Sequence, residues 1–406
     1  MRNVVFVAPF PLETTMRFAR AVARVPGVRM LGIAQEAPGG DDGKLFADVV
    51  TVRDGLDTRQ LVEAAQLLAK KHGGLHRMVG ILEPLQVPLA EARQALGIPG
   101  TDPKTADLFR DKARMKDELR RHGLPCARHA VIRTWADAEA FVRQVGFPLV
   151  VKPPAGMGSK STWRIESVDE LKAALGALHA SPERPALAEE FLRGREFSFE
   201  TITIDGEVKF QSATRYYPTP LEVMQTPWIQ WVVVLPRVID GPDFADARAL
   251  GVKAVTALGL ETGMTHMEWF RRDDGSLAIG EIAARPPGAN IVRMNSFAHD
   301  TDMYRAWALA VVDGAYAGPS PGERKYAVGC AFLRGGGRGR VRAVHGVDAA
   351  NARVGNLVVE SKLPTPGAFK SDSYEGDGYV IVRDPDTEVV KQAMNTIIET
   401  IQVEYA

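Results

Sequence analysis

Two acidic residues, Glu268 and Glu281, bracket the stretch MEWFRRDDGSLAIGEI and raise the first chemical question. Asp274-Gly275 reads as the centre of a two-residue hairpin turn. That turn pairs Asp273 with Ser276 and, stepping outward, Phe270 with Ile279 and Glu268 with Glu281. Phe270 and Ile279 make the shared face apolar and therefore buried. Two carboxylates opposed across a ladder repel, and the repulsion grows with burial. A divalent cation removes it, and paired carboxylates supplemented by phosphate oxygens are a usual way to hold Mg²⁺. The bland alternative is a solvated hairpin with two unrelated glutamates; apolar neighbours on both faces weigh against it. Arg285, just beyond Glu281 and followed by Pro-Pro-Gly, then serves as a fixed cation facing a phosphate or carboxylate.

Three further stretches supply groups of complementary type. In PLVVKPPAGMGSKST, Pro148, Val150 and Lys152 share one strand face, so Lys152 ends a buried strand. The following loop, 156–162, is rich in glycine and hydroxyls, and its backbone N–H groups suit a phosphate. It lacks the lysine spacing of a Walker A loop, and glycine-rich loops after strands are common, so alone it decides little. The helix TADLFRDKARMKDEL places Lys112 on the stripe of Leu108, Met115 and Leu119, where a snorkelling lysine is the ordinary explanation. The run ALAEEFLRGREF carries a strand into Glu189-Glu190, then Phe191-Leu192, a turn, and a new strand from Glu196; by itself it is a charged connector.

The elements that must position these groups follow from periodicity. Strand and helix patterns alternate from residue 3 to about 100, which predicts a parallel sheet covered on both faces. No GxGxxG follows the first strand, so a nicotinamide dinucleotide site is not supported. A new unit begins near residue 102, runs through two strand–helix passages, and turns to hairpins from Ala186, with Asp205-Gly206 and Asp274-Gly275 as turn signals. Residues 325–406 read as a closing α+β segment, and RGGGRGR at 334–340 as a turn rather than a nucleic-acid patch. The 406 residues carry zero formal net charge, which argues against a general polyanion binder. Only two cysteines occur, Cys126 and Cys330, too few for a disulfide framework, so a reducing cytoplasm is the expected home. Neither a signal peptide nor a membrane span is expected.

Taken in order, the four stretches resemble the ATP-grasp superfamily of carboxylate-activating ligases, over about residues 100–315. The resemblance implies a Rossmann-like parallel α/β domain (1–102), then a two-lobed ATP-grasp fold: a small lobe with the phosphate-covering loop (103–190) and a large lobe with the metal site and the C-terminal α+β segment (191–406). It implies ATP and Mg²⁺ (or Mn²⁺). Lys112 and Lys152 look like the lysines that contact the nucleotide phosphates, and Gly156, Gly158 and Ser159 like the covering loop. Glu189, Glu190 and Leu192 match the adenine-recognising segment, and Glu196 the acid that holds the ribose. Glu268 and Glu281 match the metal ligands, and Arg285 the arginine near the transferred phosphoryl group. Many members carry Asn where this chain has Ala283, which leaves the number of metal ions open. EIAARPPGANI is similar to the branch of L-amino acid ligases and carnosine synthase-like enzymes.

The function implied is ATP-dependent joining of a small carboxylate, an amino acid by expectation, to an amine through an acyl phosphate, with ADP and phosphate released. A biotin-carboxylase-like enzyme and a non-catalytic nucleotide-binding protein are the rivals. Neither nucleic acid nor membrane is an expected partner, and a homodimer is an arrangement common in such families. Glu83, after a strand end, is a candidate for a substrate ammonium, against the commoner exposed loop acid. The aromatic connection 215–231 is a candidate substrate lid, with Arg215 reaching phosphate or carboxylate. His266 shares a strand face with Glu268 and is either a partner of the metal site, a substrate contact, or a satisfied core histidine.

Overall fold

The computed structural model describes residues 1–156, 161–226 and 228–406. Strands β1 (Arg2–Val7), β2 (Val28–Ala34), β3 (Asp48–Thr51) and β4 (Leu75–Val79) form a parallel sheet ordered β3-β2-β1-β4. Val4 and Phe6 of β1 turn one way, into Met16, Ala19 and Val22 of the helix Glu13–Ala23. Val5 and Val7 turn the other way, against Leu61, Ala65 and Leu68 of the helix Thr58–His72. A strand buried on both faces explains why β1 is apolar throughout rather than alternating.

Strands β5 (His129–Ile132), β6 (Leu149–Lys152), β7 (Trp163–Ile165) and β8 (Ala186–Glu190) make a smaller antiparallel sheet ordered β5-β8-β6-β7. Its helices Trp135–Val145 and Val168–Ala177 set Phe141 and Leu171 against Leu149, Val151 and Ala188. Ten strands follow: β9 (Gly194–Ile204), β10 (Glu207–Tyr217), β11 (Trp231–Leu235), β12 (Gly263–Arg272), β13 (Leu277–Ala283), β14 (Ala327–Leu333), β15 (Val341–His345), β16 (Val358–Lys362), β17 (Gly378–Asp384) and β18 (Gln402–Tyr405). Eight of them form one antiparallel sheet, β13-β12-β9-β10-β11-β14-β17-β16, while β15 and β18 pair separately.

The large sheet has two unlike faces near the chemistry. Phe197, Phe199, Met267 and Trp269 bury against Met115 and Leu119 of the helix Lys112–Arg121 and against Leu250 and Ala254 of the helix Ala245–Ala257. Residues of the other parity, Glu196, Ser198, Glu200, His266, Glu268 and Phe270, therefore share the opposite face, because successive side chains of a strand alternate.

Two local expectations are corrected. The segment from Thr105 to Leu119 is two helices, Pro103–Arg110 and Lys112–Arg121, rather than one. Asp111 between them has extended backbone, and its carboxylate accepts from the Ala113 and Arg114 N–H groups. It is an N-cap, so Lys112 opens the second helix. The hairpin tip likewise holds three residues, not two: Arg272 pairs with Ser276, and Gly275 sits at φ +84°. Phe270 consequently faces Ala278, not Ile279, and a bulge at Gly280 then returns Glu268 to a position opposite Glu281. The bulge also breaks strand parity, so Ile279 and Ile282 bury in the same core.

Candidate active site

The polar face of β9, β12 and β13 looks across a cleft at the small sheet, with the C-terminal end of the parallel sheet closing one side. The cleft encloses about 410 Å³. Lys112, Lys152, Gly156, Glu189, Glu190, Leu192, Glu196, His266, Glu268, Glu281, Arg285 and Glu83 all line it. Residues distant in sequence thus converge on one cavity of ligand size.

Charges in the cleft are tightly paired. The Lys112 ammonium lies 2.9 Å from a Glu281 oxygen and donates to the Gly156 carbonyl at 3.1 Å. Lys152 lies 2.8 Å from one Glu189 oxygen, and Lys116 lies 2.7 Å from the other. Burial pushes the Glu189 carboxyl up, but the two ammonium groups outweigh it and hold it at about 2. Glu281 is likewise held at about 2: burial opposes ionisation, and Lys112 and Lys152 override it. Across the ladder Glu268 goes the other way, raised by burial and by the Glu281 charge. The two carboxyls are thus pushed in opposite directions, as expected of two acids sharing one site. Among the described residues no group of three or more His, Cys, Asp or Glu gathers as a metal cage. Two carboxylates are the protein share that Mg²⁺ takes when phosphate oxygens and water complete its octahedron, so the donor set fits that ion.

Residues 117–297 match the family model described as the ATP-grasp domain. The chain carries an ATP-grasp domain. Over 254 residues it is 29% identical to the L-arginine-specific L-amino acid ligase of Bacillus subtilis, covering 61% of this chain and 60% of that protein. Over 231 residues it is 26% identical to the alanine–anticapsin ligase of Bacillus subtilis, covering 50% of this chain and 47% of that one. The chain thus spans 60% and 47% of these two curated relatives. Among solved structures, the L-amino acid ligase from Bacillus licheniformis superposes with a TM-score of 0.80 at 18% identity, over 100% of this chain and 99% of that one, and so shares its fold.

Within the ATP-grasp cleft the candidate residues take specific places. Arg285 lies 3.0 Å from one Glu83 oxygen, and Arg110 lies 3.0 Å from the other. Glu83 is therefore a buried carboxylate shared by two arginines, not an exposed loop acid. The Glu190 carboxylate is taken by Arg128, through both its backbone N–H and its guanidinium, and Glu190 N–H donates to the Arg128 carbonyl. Glu196 is half-buried, and burial with the Glu268 charge pushes its carboxyl well above the usual range. Gly158 and Ser159 lie outside the described residues.

Arg215 is not brought into the cleft. It stands on the opposite face of β10, 2.8 Å from Asp243 and over the rings of Phe197 and Phe244. The reason is parity: its neighbours Thr214 and Tyr216 face the polar side. His266 does reach the cleft. Its Nδ1 is 3.0 Å from Glu200, a fully buried carboxylate that also accepts from Ser198 at 2.5 Å and Thr214 at 3.3 Å. Its Nε2 is 3.9 Å from Glu268. His266 sits directly across from Ala283, so a ring fills the side of the ladder where that small residue leaves room.

Sequence reasoning missed Glu200 and Lys116. Glu200 continues the alternation Glu196, Ser198 along one strand face, a signal that was present. Lys116 follows Lys112 by one helical turn and so shares its stripe. The connection 215–231 contributes the helix Pro220–Gln225, whose Pro220, Leu221 and Glu222 border the cleft. The buried Arg334 guanidinium, drawn from RGGGRGR, donates to the Val223 and Ile229 carbonyls at 3.0 and 3.1 Å and ties this segment to the large sheet.

Proposed function

We propose that the chain is an ATP-dependent carboxylate–amine ligase acting on a small acid, an amino acid by preference, with ADP and phosphate as products. The observation that carries this reading is the placement of Glu268 and Glu281 opposite each other, with Lys112, Lys152 and Arg285 in the same cleft. The curated relatives named above are amino acid ligases, which supports the substrate class.

Glu268 and Glu281 would hold Mg²⁺, which would supply charge neutralisation at the phosphate oxygens. The remaining work falls to the chain itself. Lys112 and Lys152 exchange their carboxylate partners for phosphate oxygens and offset the charge that spreads over the γ-phosphoryl group in flight. The substrate carboxylate attacks that group in line, ADP leaves, and an acyl phosphate forms. Arg285, held in orientation by Glu83, pairs with the anionic acyl phosphate. The amine then attacks the acyl carbon, and phosphate departs. The helix Pro220–Gln225 at the cleft border excludes water, which would otherwise hydrolyse the intermediate. Glu190 and Leu192 offer backbone groups to adenine, and Glu196 accepts from ribose hydroxyls.

We assign 1–102 as the preceding α/β domain, 103–190 as the small lobe and 191–406 as the large lobe. Measuring ADP and phosphate release across a panel of acid–amine pairs tests the proposal. ADP formation that depends on the acid–amine pair is expected, and AMP as the nucleotide product overturns it.

A further inference from the structure

We propose that Lys116 is a positioning residue that sets the register of Glu281 and the reach of Lys152 together. It touches neither substrate nor metal in this scheme. Its side chain is fully buried, and its ammonium makes two contacts: 2.6 Å to the Gly280 carbonyl and 2.7 Å to Glu189.

The first contact bears on the metal pair. Gly280 is the extra residue of the β-bulge, and a bulged residue drops out of the ladder and needs another hydrogen-bond partner. Lys116 provides it. Without the bulge the register of the hairpin tip would run on, and Glu281 would face Met267, whose side chain belongs to the apolar core on the other side of the sheet. A slip of one residue exchanges the two faces of a strand. The bulge is therefore what puts both carboxylates on the cleft side, and Lys116 anchors it from helix Lys112–Arg121.

The second contact bears on the phosphate side. Glu189 offers one oxygen to Lys116 and the other to Lys152. Sharing a single carboxylate between two ammonium groups leaves Lys152 less tightly held than a private ion pair would, and so freer to turn to a phosphate. A lysine buried for stability alone would be a poor choice, because an apolar side chain of similar volume is commonly as stable. Lys116 instead links strand β8, the bulge in β13 and the helix carrying Lys112 through one ammonium group.

The inference rests on the site being an Mg²⁺–nucleotide site, and calorimetry of ADP binding to the full chain separates the two. The readout is the ratio of ADP affinities with Mg²⁺ and with EDTA. A wild-type chain that binds no ADP, or binds it without help from Mg²⁺, overturns the proposed function itself. With that enhancement present in the wild type, Lys116→Met is expected to lower it by about tenfold or more, the range seen when outer-sphere partners of a metal are removed. A folded Lys116→Met protein with the wild-type enhancement overturns the role of Lys116. Should that variant fail to fold, Lys116→Met/Glu189→Gln removes both charges at once. The same loss is expected there, and wild-type enhancement in the double variant rejects the proposal.

Discussion

Glu83 and Arg285, 202 positions apart in sequence, meet at 3.0 Å across the boundary between the parallel sheet and the large antiparallel one. The carboxylate comes from the turn after β4, the guanidinium from the turn after β13. The N-terminal unit therefore reaches into the ATP-grasp cleft and aims its arginine. Glu83→Gln leaves Arg285 and Arg110 without their counter-charge. Stability should fall by about 3 kcal/mol, the lower end for breaking a buried pair, as read from urea unfolding. KM for the acid should rise by about tenfold, because an orienting charged hydrogen bond is lost.

The two glutamates proposed as metal ligands, Glu268 and Glu281, should respond differently to amide substitution. Both Glu268→Gln and Glu281→Gln should cut ADP release by more than about 100-fold, beyond the effect of outer-sphere partners. In metal-free buffer Glu268→Gln should leave the melting temperature unchanged or slightly higher, since burial and the Glu281 charge both disfavour the ionised Glu268 carboxylate and an amide removes that charge. Glu281→Gln should remain folded but lose about 2 kcal/mol, the worth of a charged hydrogen bond, because Lys112 keeps no anion beside it. Equal thermal shifts in the two variants would refute the asymmetry.

Arg334→Met tests the lid. This guanidinium ties the helix Pro220–Gln225, at Val223, to Ile229 beyond its C-terminal end. Its loss should raise substrate KM several-fold and speed proteolytic nicking near residue 226 while ADP affinity stays as it was. A variant with weakened ADP binding and intact KM would place the segment elsewhere in the cycle.

A pH effect outside the lining of the cleft should follow from His299. Burial, with the nearby Arg324, pushes its imidazolium down to about 4 from an ordinary value of 6.5. The unfolded chain therefore takes up the proton first as pH falls. The stability that His299 contributes is complete above about pH 6.5 and drains away between pH 6.5 and 4, by about 3 kcal/mol over that window. Urea midpoints measured across the window should show this slope in the wild type and a shallower one in His299→Gln.

The sequence disclosed the parallel N-terminal sheet and the two-lobed ATP-grasp architecture because both depend on periodicity and element order, which are local. The facing of Glu268 and Glu281 was also legible, though through two errors that cancel: a tip counted one residue short and a bulge at Gly280 that the pattern does not reveal. Arg215 went astray for a related reason. Alternation says that Arg215 and Tyr216 point oppositely, but only the packing of Phe197 and Phe244 decides which side is the cleft. The pairing of Glu83 with two arginines, and of Glu189 with two lysines, depends on contacts between separate elements and has no local signature.

The bulge at Gly280 has a consequence for anyone who edits this hairpin. The tip at 273–275 is insulated from the chemistry, so longer or shorter tips can be grafted there as long as strand partners keep their count. Deleting one glycine further along would do what no tip replacement does: it would swing an acid from the wet side of the sheet into oil, and leave the proposed magnesium site with one carboxylate in place of two.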